Sequence, residues 1–152
     1  MKDRANVAVL PPLIPLAMIG LGFLVHLAFP LAAAPASIAR SLGVLAVLVA
    51  AAIATAAACE LTKAGTAFDV RRSTTALVDT GVFRWSRNPV YFSMMLLSLG
   101  IALLVNSLPM LLLVLPAGSL LCLWVVRAEE SYLERKFGDT YLAYKGTVRR
   151  WL

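Results

Sequence analysis

Apolar positions along this chain gather into four long runs, residues 9–31, 41–61, 89–106 and 108–126. Each is close to the ~20 helical residues that cross a bilayer core, and none alternates with period two as a strand would. The pattern predicts an all-α integral membrane bundle of about four transmembrane helices. Between the third and fourth runs only Asn106-Ser107-Leu108-Pro109 intervenes, so these two should form an antiparallel hairpin. In the second run Gly43, Ala46, Ala50, Ala54 and Ala57 recur at helical spacing. Small residues let backbones approach where lipid supplies no hydrophobic drive for helix pairing, so this is a predicted packing face.

The first run admits two readings. Lys2 and Arg4, an apolar stretch and Ala32-Ala33-Ala34 resemble a secretory leader with its cleavage site. Pro11, Pro12 and Pro15, and an apolar length beyond about 20 residues, favour a retained, kinked span. His26, the lone histidine, falls mid-run, where a neutral imidazole bonded to a carbonyl is the expectation.

Polar residues are confined to two regions, 62–88 and 127–152, which should carry the chemistry and add short helices to the bundle. The first is long for a connection in so small a protein, and such loops are usually functional. Its Phe68, Val70, Leu77, Val78, Val82, Phe83 and Trp85 argue for packing on the membrane surface. Proline disfavours helix in its predecessor and suits the first helical position, so Asn88-Pro89 should start the third helix with free N–H groups. With Arg84 and Arg87 just upstream, that end would suit a ligand carboxylate, or the arginines would reach lipid phosphates. In the second region Glu129, Leu133 and Phe137 share one helix face, and Glu130 and Glu134 line its neighbour. Two adjacent acids at a membrane boundary need a cation, from Arg127, Lys136 or a charged ligand. Gly138 reads as a helix stop and Asp139 as the cap of a further helix. That helix would turn Tyr141, Leu142, Tyr144 and Val148 to one side. It runs into Arg149-Arg150-Trp151-Leu152, a composition suited to the membrane interface.

Composition adds constraint. With 61% apolar and 14% charged residues and a mean hydropathy of +0.84, disorder and most soluble folds are excluded. At 152 residues there is room for one domain. Cys59 and Cys122 lie far apart in apolar runs, giving neither a disulfide framework nor a metal-binding spacing, and no metal is expected. Of the fourteen Lys and Arg behind the net charge of +6, all except Arg40 fall on one side if the four runs span. That places both termini in the cytoplasm. No basic stripe with interleaved aromatics accompanies the charge, so nucleic acid is not an expected partner.

Two motifs are specific in combination. The segment Thr80-Gly81-Val82-Phe83-Arg84-Trp85-Ser86-Arg87-Asn88-Pro89-Val90-Tyr91 is followed, after a hydrophobic hairpin, by Glu129-Glu130-Ser131-Tyr132-Leu133-Glu134-Arg135-Lys136-Phe137-Gly138-Asp139-Thr140-Tyr141. The ordered pair resembles the isoprenylcysteine carboxyl methyltransferase and phospholipid methyltransferase superfamily of integral membrane enzymes, over residues 65–152.

The resemblance implies S-adenosylmethionine as cofactor, enclosed at the cytoplasmic membrane face by an Arg-(His/Asn)-Pro-x-Tyr element and a Glu-Glu element. By position these are Arg87, Asn88, Pro89 and Tyr91, then Glu129 and Glu130. It implies that Asn88, the N–H groups after Pro89 and Arg87 hold the methionyl carboxylate. Glu129 or Glu130 would take the ammonium or ribose hydroxyls, within walls drawn from Tyr91, Leu133, Phe137, Tyr141, Leu142 and Tyr144. Arg84, Arg87 and Glu130 are the candidate catalytic residues: the arginines would steer an anionic acceptor, and a glutamate or tyrosine would relieve an amine of its proton. Asn88 replaces the histidine common in eukaryotic members, and Val148-Arg149-Arg150 replaces a common Val-Pro ending. The acceptor, a membrane lipid or a small lipophilic carboxylate, amine or thiol, therefore stays open. A scaffold or transporter subunit without catalysis is the competing class, and no span has the filter-like sequence of a channel.

Overall fold

A computed structural model describes residues 7, 9–66 and 74–151. Lys2, Arg4, Phe68, Asp69, Val70, Arg71 and Arg72, on which part of the sequence reading falls, lie outside the described residues. Those residues form six α-helices, a 3-10 turn and one π turn, with no strand among them.

Prolines set the helix limits where hydropathy alone does not. α1, Leu13–Ala28, begins only after Pro11 and Pro12 and ends before Phe29, whose helical geometry is disfavoured by Pro30. It is therefore shorter than its apolar run. Pro15 sits in the first turn, where a missing N–H costs no intrahelical bond. α2, Ala36–Lys63, starts directly after Pro35 and extends through Ser37 and Arg40, so it is longer than its apolar run. α3, Pro89–Val105, has Pro89 at its first position, as the sequence predicts.

The hairpin after α3 has a local cause. Asn106 adopts a left-handed conformation (φ 54°), and the Ser107 hydroxyl accepts the Met110 N–H at 3.3 Å to open α4, Leu108–Leu121. Asn106 also ties the hairpin to the α1–α2 connection. Its Oδ1 accepts the N–H groups of Ala33 (3.0 Å) and Ala34 (3.1 Å), and its Nδ2 donates to the Ala34 carbonyl at 3.0 Å.

α4 passes without a break through a π turn, Cys122–Val126, into α5, Arg127–Phe137. Pro116 inside α4 removes one ladder donor, and the wider π turn rotates α5 relative to α4. Neither was legible from hydropathy. Gly138, at φ 53°, ends α5 and begins α6, Asp139–Thr147. Asp139 is thus the first helical residue rather than the cap.

α2 packs along α3, α1 along α4, and α3 touches α1 and α4. The small-residue face forms the α2–α3 seam, with Ala39, Gly43, Ala46, Ala50 and Ala57 buried. A Cβ on Gly100 would lie 2.7 Å from Val47 Cγ2 and 3.1 Å from the Gly43 carbonyl oxygen, so the seam requires glycine there. The continuous helix Leu108–Phe137 and α2 are each long and apolar enough to cross a membrane; α1 and α3 are apolar but shorter. His26 lies on α1, and its Nδ1 is buried without a hydrogen-bond partner, in contrast to the expected imidazole–carbonyl bond.

Candidate functional site

The two polar regions meet at the end of the bundle where α3 begins. After Gly138 the chain turns, and α6 buries Tyr141 and Tyr144. The Tyr144 hydroxyl donates to the Phe83 carbonyl at 2.7 Å, fixing α6 on the 3-10 turn Gly81–Arg84. The segment after α6 is then held by its backbone. Arg87 N–H donates to the Arg149 carbonyl (3.0 Å), while Ser86 Oγ (3.2 Å) and Asn88 Nδ2 (3.0 Å) both donate to that of Arg150. Asn88, predicted to face a ligand, thus spends its amide on the C-terminal segment.

A cavity of about 240 Å³ opens beside this junction. Its walls come from Leu10 to Pro12 before α1, Leu61 at the end of α2, Thr74 and residues 76–78, Val90, Tyr91 and Met94 of α3, Glu129 and Leu133 of α5, and Tyr141 and Tyr144 of α6. Arg87, Asn88 and Pro89 line it as well. Of the residues predicted for a site, eight therefore share one concavity: Arg87, Asn88, Pro89, Tyr91, Glu129, Leu133, Tyr141 and Tyr144. The remaining four do not line it. Arg84 is exposed on the outer side of the 3-10 turn, Leu142 points outward at 51% exposure, Phe137 is half-buried away from the wall, and Glu130 is buried behind Arg87.

Charge in this junction is unevenly shared. Glu130 accepts a two-pronged contact from Arg150, Nε to Oε1 at 3.0 Å and Nη2 to Oε2 at 2.7 Å. Arg87 reaches the same carboxylate only through Nη2, at 3.5 Å. The Nε and Nη1 of Arg87 are buried without a hydrogen-bond partner. The cations that meet Glu130 are therefore Arg150 and Arg87, not Arg127 or Lys136, and Lys136 donates to the Tyr132 hydroxyl at 3.1 Å. On the cavity wall the Tyr91 hydroxyl donates to Glu129 Oε2 at 2.6 Å. Burial first, and then the charge of Glu130, push the Tyr141 hydroxyl up to about 12 against the opposing pull of Arg87. Burial and Tyr141 likewise raise Tyr144. Both rings thus present neutral hydroxyls at physiological pH.

The arrangement thus sets a guanidinium with two unfilled donors and a carboxylate braced by a tyrosine beside one cavity with largely apolar walls. Sequence reasoning missed Ser86 and Arg150. It placed Arg150 at the membrane interface, although two adjacent acids lacking a cation were a signal that could have found it.

The family model for phospholipid methyltransferases matches residues 38–140, from early in α2 into the first turn of α6. An uncharacterized protein of Haemophilus influenzae is 63% identical over 27 residues, which is 18% of this chain and 43% of that protein. The chain thus spans under half the length of this curated relative. No solved structure matches it. With the match covering most of the chain, including Arg87 to Tyr91, Glu129 and Leu133 of the cavity wall, the protein belongs to the phospholipid methyltransferase family.

Proposed function

We propose that this chain is a multi-pass membrane methyltransferase that uses S-adenosylmethionine and acts at the cytoplasmic face on a lipophilic or small acceptor. Family membership supports the reaction class. Two long apolar helices support the membrane setting, and the packing of α1 on α4 and of α3 on α2 supports four crossings. The one-sided basic charge supports cytoplasmic termini.

The observation that carries the reading is Arg87, which lines a cavity built from both polar regions and keeps two buried donors without a partner beside it. An unsatisfied buried donor costs about 1–3 kcal/mol, so such a pair is kept where a ligand completes it. The residues fit the cofactor's chemistry. Arg87 would hold the carboxylate, aided by the α3 N-terminus, which has no side-chain cap. Glu129, braced by Tyr91, would take the ammonium or the ribose hydroxyls. Leu133, Tyr141 and Tyr144 would pack on the adenosine. Bound there, the cofactor supplies an electrophilic methyl group on a sulfonium.

This chain's own residues would supply alignment more than acid–base power, because in-line displacement depends chiefly on orientation. Leu10, Pro11, Pro12 and Met94 give the cavity an apolar side suited to the hydrocarbon of an acceptor. An amine acceptor would lose its proton to the Tyr91–Glu129 pair, whereas a carboxylate or thiolate would need no base. Glu130, paired with Arg150, would lie behind Arg87 without touching the ligand.

Protection against heat tests the reading. S-adenosylhomocysteine at ~100 times its dissociation constant stabilises a specific binder by about 2.7 kcal/mol. For a chain of this size that raises the melting temperature of the detergent-solubilised protein by roughly 5–10 °C. An unchanged melting temperature at millimolar ligand would identify a scaffold without a cofactor site.

A further inference from the structure

We infer that Arg150 is a positioning residue: by occupying Glu130 it keeps Arg87 free to bind the carboxylate of the ligand. The inference rests on the proposed cofactor site and adds a residue to it that never touches the ligand. Arg150 is absent from the cavity wall.

The argument is one of competition for a single carboxylate. Glu130 and Arg87 are both buried, with side-chain exposures of 7% and 8%. A buried arginine next to a buried glutamate ordinarily forms a parallel two-pronged pair, which is the strongest arrangement open to the two groups. Here that arrangement is taken by Arg150, whose side chain is 35% exposed. Arg87 is left with one 3.5 Å contact to Glu130, an interaction with the Tyr141 hydroxyl, and two buried donors without a partner. Without Arg150, Glu130 would be free to capture Arg87 in the two-pronged form and occupy the donors a ligand would need.

Net charge runs the same way. Arg87, Arg150 and Glu130 together carry +1, which an incoming carboxylate neutralises. Removing the Arg150 charge leaves a neutral pair with no pull on an anion. Removing Glu130 as well restores the +1, on Arg87 alone. The C-terminal segment does not depend on the Arg150 side chain for docking, because Ser86, Arg87 and Asn88 grip the carbonyls of Arg149 and Arg150.

The test is calorimetric binding of S-adenosylhomocysteine to the full-length protein in detergent, with unliganded thermal unfolding in parallel. Arg150→Gln should weaken binding by about tenfold or more, the scale of a lost charge-assisted contact. Arg150→Lys keeps the charge count but gives up the two-pronged grip on Glu130, so its affinity should fall between those of the wild type and Arg150→Gln. The double variant Glu130→Gln/Arg150→Gln should recover binding to within about threefold of the wild type, despite removing two groups rather than one. Glu130→Gln alone should bind no more weakly than the wild type. A merely structural role predicts the opposite for the double variant, binding at least as poor as Arg150→Gln with a lower melting temperature. The inference is overturned if Arg150→Gln binds like the wild type, or if the double variant binds as weakly as Arg150→Gln. If Arg150→Gln does not fold, a loss beyond tenfold in Arg150→Lys overturns it. Absence of binding by the wild type would instead overturn the proposed function, and the inference with it.

Discussion

The two ends of the helical bundle use similar residues to opposite effect. At the end where α3 turns into α4, Asn106 directs its side-chain amide to the backbone of Ala33 and Ala34 and satisfies both the carbonyl and the amino group. At the other end Asn88 grips the Arg150 carbonyl, but its neighbour Arg87 is left with two buried donors unfilled. Polar groups that close on the chain's own backbone build structure. At Arg87 the unfilled donors belong to a residue that lines a cavity, and under the proposed function a ligand would complete them.

The largest effect that would break this contrast lies at Arg87. Replacing it with Met should weaken S-adenosylhomocysteine binding by about 100-fold, since two charge-assisted bonds are lost. The fold should persist, because Glu130 keeps its two contacts with Arg150. Calorimetry and a melting scan together check both halves.

Between the two ends lies the α2–α3 seam, where Gly100→Ala should lower unfolding stability by about 1–3 kcal/mol, as overpacking does. The cause is the approach of the new Cβ to Val47 Cγ2 at 2.7 Å. Guanidinium unfolding in mild detergent would measure it, and a neutral result would show that the helices separate readily.

Asn106→Gly preserves the left-handed backbone at φ 54° and removes only the side-chain bonds. It should cost about 1–2 kcal/mol of stability and leave ligand affinity unchanged. A change in affinity would mean that the two ends are not independent.

The smallest effect concerns pH. The Tyr141 hydroxyl is pushed up to about 12 from its ordinary 10.0. As pH rises above 10 the unfolded chain gives up this proton first, so it binds fewer protons than the folded form and stability falls as pH approaches 12. Phenolate absorbance should accordingly show delayed titration in the wild type relative to Tyr141→Phe.

Much of this architecture was legible because its causes are local. Asn88-Pro89 fixed the start of α3, Asn106-Ser107 the hairpin, and Gly138 the break before α6. The small-residue face of α2 found its partner for the same reason: residue size is written at each position. What escaped depends on contacts between distant residues. The length of α2 was hidden because hydropathy reads polarity, whereas Ser37 and Arg40 are helical. The rotation given by the π turn decides which of two adjacent glutamates faces the cavity, and nothing in Glu129-Glu130 distinguishes them. Arg150 was misplaced because a cation near an aromatic at a membrane interface reads as an anchor until its carboxylate is found. Of the predicted site residues, Arg87, Asn88, Pro89, Tyr91, Glu129 and Leu133 reached the cavity with Tyr141 and Tyr144 of α6, whereas Glu130, next to Glu129, and Phe137, two turns on, did not. Arg84 and Leu142 sit on the outer faces of a 3-10 turn and a short helix, whose orientation depends on the Tyr144–Phe83 bond.

Ultraviolet crosslinking of radiolabelled S-adenosylmethionine to the purified protein, followed by peptide mapping, bears most directly on the claim that the two polar regions form one cofactor pocket. Label should appear in both residues 74–94 and residues 127–151 and be displaced by excess S-adenosylhomocysteine. Label confined to one of these segments, or lying instead at the Asn106 end of the bundle, would contradict it.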